Sequence, residues 1–127
     1  HSFKEFDYKK LSFNSLTTQQ ILELYKDSDV ILDINHPGQK GLTMRTFESI
    51  GAGKKMITTN IEIKKYSFYN PNNILVIERE NIQFFKSFFE TNYEDISIEA
   101  YNRMSIEGWI NCLFFGSESN FWIKGIE

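Results

Sequence analysis

Three short apolar runs constrain the fold of this chain more than any other feature of its sequence. The first, at residues 30–34, has no polar alternation before Asp33, which is typical of a strand buried on both faces of a parallel sheet. Residues 54–59 and 74–77 are predicted to form the next two strands. Because helical segments alternate with these runs, we expect an α/β fold, a Rossmann-like open parallel sheet with flanking helices.

The predicted helices are placed by their caps and by their apolar positions. Thr17 and Gln20 have the spacing of a capping box, so a helix is expected to begin there. A second helix should run from Thr43 to about residue 52 and end at Gly53. Further helices are expected at 82–89 and 98–115, and short strands at 3–13. The phenyl rings of the first of these two helical segments are expected in the core and Cys112 is expected as a packed thiol, while five side chains of the second segment are available for packing: Phe84, Phe85, Phe88 and Phe89 in the first, and Tyr101, Met104, Trp109, Ile110 and Leu113 in the second.

Composition limits the class of protein. The chain has 127 residues and a net charge of -3, so we expect a single domain over residues 1–127 that is no general nucleic-acid binder. The lone Cys112 cannot form an internal disulfide. The sequence contains no apolar run long enough for a membrane helix. Since the first residue is His1, we expect the chain to be a piece of a longer, soluble protein.

The charges are unevenly distributed along the chain. Residues 36–65 hold six Lys or Arg and two Glu, a local balance of +4 within an acidic protein. Such a segment predicts an anion-binding site, and a solvated basic face is the alternative.

The loop after the first strand is the expected ligand site. In open α/β sheets, ligands bind at the carboxyl ends of the strands, beside helix N-termini. Gly38 and Gly41 allow close approach of the backbone, and the amides around Leu42 and Thr43 favour a phosphate. The same stretch contains Gln39, Lys40 and Arg45, so the basic segment is expected to face this edge.

Glu48 is the exception in this basic stretch. It lies one helical turn beyond Met44 and Arg45, within reach of a ligand at the helix start. Phosphate repels a carboxylate, but sugar hydroxyls donate hydrogen bonds to one, which suits a nucleoside diphosphate. The alternative is a glutamate paired with Arg45 or Lys55 on an exposed helix face.

These residues carry a resemblance to a known family. Residues 29–60, DVILDINHPGQKGLTMRTFESIGAGKKMITTN, resemble the donor-binding half of GT-B glycosyltransferases, with a strand, a Gly-rich loop, a helix and a second strand in the family's order. The flanking segments LSFNSLTTQQILELYKDSDVILDI and YNPNNILVIE are similar to the neighbouring elements. The core TMRTFES looks particularly like transferases of bacterial lipopolysaccharide or capsule synthesis. The resemblance implies the C-terminal half of a GT-B fold and a hexosyltransferase-like activity.

The resemblance also implies roles for single residues. Glu48 matches the glutamate that binds the ribose hydroxyls of the sugar nucleotide. Gly41, Leu42 and Thr43 match the turn whose amides hold the diphosphate, and Asn60 falls in the loop that faces the transferred sugar. The nucleobase would lie near Phe13, Asn14 and Leu16. The set of donor-binding residues is thus Asn14, Gln39, Lys40, Gly41, Leu42, Thr43, Arg45, Glu48 and Asn60.

Two departures limit what the resemblance implies. Many retaining members carry a second glutamate eight positions before the ribose glutamate, where this chain has Lys40, so stereochemistry and catalytic residues stay undetermined. The resemblance implies an N-terminal acceptor domain outside this chain, so we expect the chain to bind donor but to catalyse little alone. The alternative function is a non-catalytic α/β module that binds a phosphate or nucleotide for regulation.

Cofactors and location follow from the same interpretation. The expected partners are a nucleotide diphosphate sugar and the missing acceptor domain, with no nucleic acid, no metal and no other cofactor. Asp27-Ser28-Asp29 spells a metal-binding D-x-D, but it precedes its strand and so falls at the edge opposite the ligand. His36 is interpreted as either loop structure or a contact to the donor phosphate or the acceptor. The full-length protein is expected in the cytoplasm, with peripheral association at the inner membrane face allowed.

Overall fold

The computed structural model describes residues 14–115, which form a three-stranded parallel sheet flanked by helices. The strands are β1 (Val30–Asp33), β2 (Lys55–Thr58) and β3 (Ile74–Val76), in the order β1-β2-β3. The register places Leu32 opposite Ile57, and Ile57 opposite Leu75. The predicted α/β class and open parallel sheet are confirmed, whereas the strands expected at 3–13 lie outside the described residues.

The helices begin and end close to the predicted positions in the first half of the chain. Thr17 caps α1 (Thr18–Asp27) with both hydrogen bonds of a capping box, as predicted. Helix α2 (Met44–Gly51) ends before Gly53, whose φ of 61° is in the left-handed region that favours glycine. The later helices are a 3-10 helix (Ile61–Lys65), α3 (Lys86–Glu90), α4 (Ile98–Met104) and α5 (Ile106–Phe115).

The sheet is covered on both sides around β2. Successive strand residues point to opposite faces. Met56 therefore packs on one side and Ile57 on the other, each in its own buried cluster. The first cluster contains Ile50, Met56, Ile63, Phe68 and Ile74, and the second contains Ile57, Ile77 and Phe88.

Strand β1 is less buried than its sequence predicts. All four residues of β2 are buried, but Leu32 is 50% exposed and Ile34, just beyond β1, is 59% exposed. The prediction that residues 30–34 are buried on both faces is therefore wrong. Leu32 lies opposite Ile57 in the register, but the cluster that covers Ile57 contains Ile77 and Phe88 and does not extend to Leu32.

The long helix predicted at 98–115 is broken at Ser105. Its hydroxyl donates to the Asn102 carbonyl oxygen at 2.6 Å and accepts from the Gly108 amide at 3.1 Å, so it ends α4 and caps α5. Gly108 is required at this corner, because an added Cβ would lie 2.3 Å from the Asn102 carbonyl oxygen. The helix predicted at 82–89 is also shorter, since α3 begins only at Lys86.

The aromatic residues near α3 are mostly not in the core. Phe88 is buried, but Phe84 is 57% exposed and Phe85 55% exposed. Because α3 has only five residues, it can turn one phenyl ring onto the sheet while the others stay at the surface. The packing prediction is confirmed for Phe88 and, at the margin of the first cluster, for Met104, while Cys112 is half-buried. It is wrong for Phe89, which is exposed. Four side chains that were available for packing are exposed as well: Tyr101, Trp109, Ile110 and Leu113.

Lys55 brings a charge into the interior at the start of β2. Lys55 is buried, and its Nζ donates to the Phe88 carbonyl oxygen and to Thr91 Oγ1, each at a distance of 2.6 Å. The Nζ also lies 4.7 Å from the centre of the Phe88 ring. Burial lowers the pKa of Lys55, against a weaker opposing effect of Glu94.

Stability should therefore depend on pH through Lys55. Because its pKa is lower in the folded state, the unfolded chain binds more protons as the pH approaches 10.5, the ordinary value of a lysine, and unfolding becomes less favourable. We expect the free energy of unfolding to rise over this range relative to Lys55→Met, as measured by urea denaturation. The exposed Lys64→Met is the control. A parallel pH profile for Lys55→Met and the wild type would contradict the prediction.

Candidate functional site

Asn35 organises the loop that follows β1. Its side chain is buried, and its Nδ2 donates to the carbonyl oxygens of His36 at 3.2 Å and Gln39 at 3.1 Å. The Gln39 amide also donates to the His36 carbonyl oxygen at 2.9 Å, which closes a turn. The amide of one asparagine thus fixes the path of the backbone from β1 to α2.

The same asparagine joins the ends of neighbouring strands. Its Oδ1 accepts from Thr59 Oγ1, just after β2, at 2.6 Å. Arg79, which follows β3, donates through Nη2 to the Asn35 carbonyl oxygen and to Thr59 Oγ1, the latter at 3.2 Å. Side chains that follow all three strands therefore form one hydrogen-bonded network at the carboxyl edge, which we call the edge network (Asn35, Thr59 and Arg79).

Sequence reasoning missed Arg79. It lies outside the basic segment and between two glutamates, so a count of charge along the chain hides it. Sheet topology could have identified it, because Arg79 comes two residues after a predicted strand whose carboxyl end lies at the same edge of the sheet.

Asn60 holds the other end of the loop. Its Nδ2 donates to the Gly41 carbonyl oxygen at 3.0 Å, and its Oδ1 accepts from the Glu62 amide at 3.1 Å. The residue is buried, with both polar ends of its side chain engaged. The structure thus gives Asn60 a part in loop geometry, and its contact with a transferred sugar stays a prediction.

The predicted phosphate-binding turn lies at the start of α2. Leu42 packs against the first buried cluster and anchors the turn, while Gly41 is exposed. Thr43 is the N-cap of α2, but its side chain makes no capping hydrogen bond. Among the described residues, its Oγ1 is a buried side-chain oxygen without a hydrogen-bond partner. The first-turn amides of a helix have no partners within the helix, so this turn keeps donors for an anion.

The remaining predicted contacts are at the surface. Gln39, Lys40 and Arg45 are exposed along the loop and the first turn of α2. Asn14 and Leu16 are exposed before α1, whereas Phe13 lies outside the described residues. The nucleobase assignment therefore stays a prediction.

Glu48 is held by a tyrosine rather than by a basic residue. Tyr25 of α1 donates through its hydroxyl to Glu48 Oε2 at 2.8 Å. The pairing considered from sequence, with Arg45 or Lys55, is not among the ion pairs of residues 14–115, and Lys55 is buried under α3. Burial, followed by the bond to Glu48, raises the pKa of Tyr25 to about 12, so the hydroxyl stays a donor into the alkaline range.

The basic segment does not face the carboxyl edge as a whole. Lys54 and Lys55 lie at the amino end of β2, where Lys54 Nζ donates to the Lys26 carbonyl oxygen at 3.2 Å. For these two residues the sequence interpretation is wrong, because α2 carries the chain back to the amino end before β2 begins. Lys40 and Arg45 lie on the expected side.

His36 and the D-x-D sequence take local roles. His36 Nδ1 accepts from the Gly38 amide at 3.2 Å, which favours its interpretation as loop structure. Ser28 donates to the Leu24 carbonyl oxygen at 2.6 Å, at the C-terminal end of α1. In the part of the chain that the structure describes, no group of three or more His, Cys, Asp or Glu side chains is placed to hold a metal ion.

Comparisons of the chain with protein-family models, curated proteins and solved structures found no match. Over residues 14–115, none of the helices has the length and apolar character needed to cross a bilayer.

The edge network predicts a large effect of one substitution. Asn35→Ala removes the acceptor of Thr59 and both carbonyl contacts of the loop, and it leaves buried polar groups without partners. We expect the free energy of unfolding to fall by about 1–3 kcal/mol, as measured by urea denaturation. The matched control is Asn81→Ala at an exposed position, with a change of less than about 0.5 kcal/mol. Equal effects of the two substitutions would contradict the role assigned to Asn35.

Proposed function

We propose that this chain is the donor-nucleotide-binding domain of a GT-B-type glycosyltransferase in bacterial lipopolysaccharide or capsule synthesis. The observation that carries the proposal is the arrangement at the carboxyl edge. A tethered loop leads into the start of α2, and a carboxylate, Glu48, lies on the same helix. This combination offers backbone donors for a diphosphate and an acceptor for sugar hydroxyls.

Different residues are proposed to bind different parts of the ligand. The amides of Gly41, Leu42 and Thr43 bind the diphosphate, and the charges of Lys40 and Arg45 offset its charge. Glu48 accepts hydrogen bonds from the ribose, beside the diphosphate. Gln39 and Asn60 border the loop toward the transferred sugar, and Asn14 lies toward the nucleobase.

The chemistry would be transfer of a sugar from the nucleotide to an acceptor hydroxyl. The leaving nucleoside diphosphate gains negative charge as the glycosidic bond breaks, and fixed cations stabilise that charge. Lys40 and Arg45 are exposed and have the required sign. The proposed mechanism uses no metal ion, and the acceptor and any catalytic base belong to a second domain.

Two exposed apolar surfaces support a partner domain. Leu32 in β1 and Ile34 just after it are exposed, and α5 exposes Trp109, Leu113 and Phe114. Groups of exposed apolar side chains are a feature of protein interfaces. We propose that the acceptor-binding domain of the full-length enzyme covers part of these surfaces, at the cytoplasmic side of the membrane.

The test is titration of the chain with UDP, GDP and CMP and their sugars by calorimetry. We expect one nucleotide to bind and Glu48→Ala to weaken its binding about 10- to 100-fold, because hydrogen bonds to a charged group are lost. Glu90→Ala, which removes an exposed carboxylate on α3, is the control and should leave affinity unchanged.

Two results would contradict the proposal. They are the absence of binding by every nucleotide, and binding that Glu48→Ala does not weaken. Inorganic phosphate that binds as tightly as the nucleotides would favour the regulatory phosphate-binding module instead.

A further inference from the structure

The hydrogen bond between Tyr25 and Glu48 joins two helices at the proposed ribose site. The residues are 23 positions apart, and the 2.8 Å distance is that of a strong bond to a carboxylate. Helix α1 has no buried residue, so it contributes little to the core. A surface helix that contributes little to the core thus directs one hydroxyl to the carboxylate on which the proposed function depends.

The bond restricts a side chain that would otherwise be mobile. Glu48 is exposed, and a free glutamate samples many rotamers, whose loss on binding costs affinity. A carboxylate has two oxygens with about four acceptor positions. Tyr25 occupies Oε2, so the orientation is fixed while Oε1 keeps its acceptor positions for a ligand.

We propose that Tyr25 is a positioning residue that orients the Glu48 carboxylate toward a ribose diol, so that it sets the preference of the site for ribonucleotides over 2′-deoxyribonucleotides. The inference rests on the proposed function, because Glu48 must be the group that contacts the ribose. The raised pKa of Tyr25 keeps the hydroxyl protonated into the alkaline range, so the hydrogen bond to Glu48 persists there as well.

The size of the effect follows from a single hydrogen bond. A hydrogen bond that a ribose hydroxyl donates to a charged acceptor should give the wild type a preference of about 10-fold or more for the ribonucleotide. Tyr25→Phe keeps the ring and removes the donor, so Glu48 loses its fixed orientation. We expect the preference to fall about 3- to 10-fold.

The experiment measures dissociation constants for the best-binding ribonucleotide among UDP, GDP and CMP and for its 2′-deoxy counterpart. The variants are Tyr25→Phe, Glu48→Ala and the double substitution, with Tyr101→Phe on α4 as the matched control. We expect Glu48→Ala, which removes the acceptor, to bring the ratio of the two constants close to one and the double variant to match Glu48→Ala. Tyr101→Phe should keep the wild-type ratio.

The possible failures are distinguishable. If Tyr25→Phe weakens the binding of both nucleotides equally, or of neither, while Glu48→Ala still lowers the ratio, the role of Tyr25 is overturned and the ribose site stands. If Glu48→Ala leaves the ratio unchanged, or the wild type binds no nucleotide, the proposed function fails and the inference about Tyr25 fails with it.

Discussion

The carboxyl edge of this protein depends on the side-chain amide of Asn35. Its nitrogen holds the loop that leads to α2, and its oxygen accepts from Thr59 beyond the neighbouring strand. Arg79 then ties the third strand to the same point. The parallel register brings the three chain segments together, and the buried amide converts their proximity into a fixed geometry. Asn60, which holds the Gly41 carbonyl oxygen, completes the placement of the loop before α2.

Local signals in the sequence predicted the elements that local interactions form. The capping box at Thr17, the end of α2 before Gly53 and the three strands depend on residues that are neighbours in the chain. The errors arose where burial depends on what lies across space. Leu32 has the same apolar character as its neighbour Ile57, but it is exposed because the cluster that covers Ile57 does not extend to it. Ser105 breaks a helix because its hydroxyl competes for backbone groups, which an apolar periodicity does not report.

In the candidate site, too, local features could be predicted from the sequence and contacts across space could not. The position of the loop at the carboxyl edge could be predicted from sheet topology, and Glu48 could be assigned to the helix that follows it. The partners could not, since the contacts of Tyr25 and Arg79 cross more than twenty residues of chain. Charge counted along the sequence also misplaced Lys55, whose cation lies under α3 at the opposite edge. The edge is therefore less basic than the segment that supplies it, and its chemistry comes from geometry as much as from net charge.

The central claim is that the edge beside α2 binds a nucleoside diphosphate, and amide NMR of the labelled chain tests it most directly. On addition of UDP, GDP or CMP, the account predicts that shift changes concentrate at the amides of residues 38–45 and at Glu48. Residues around the groove at the opposite edge, between Gly53 and Tyr93, should not change. Changes confined to that groove, or none at any concentration of the three nucleotides, would contradict the account.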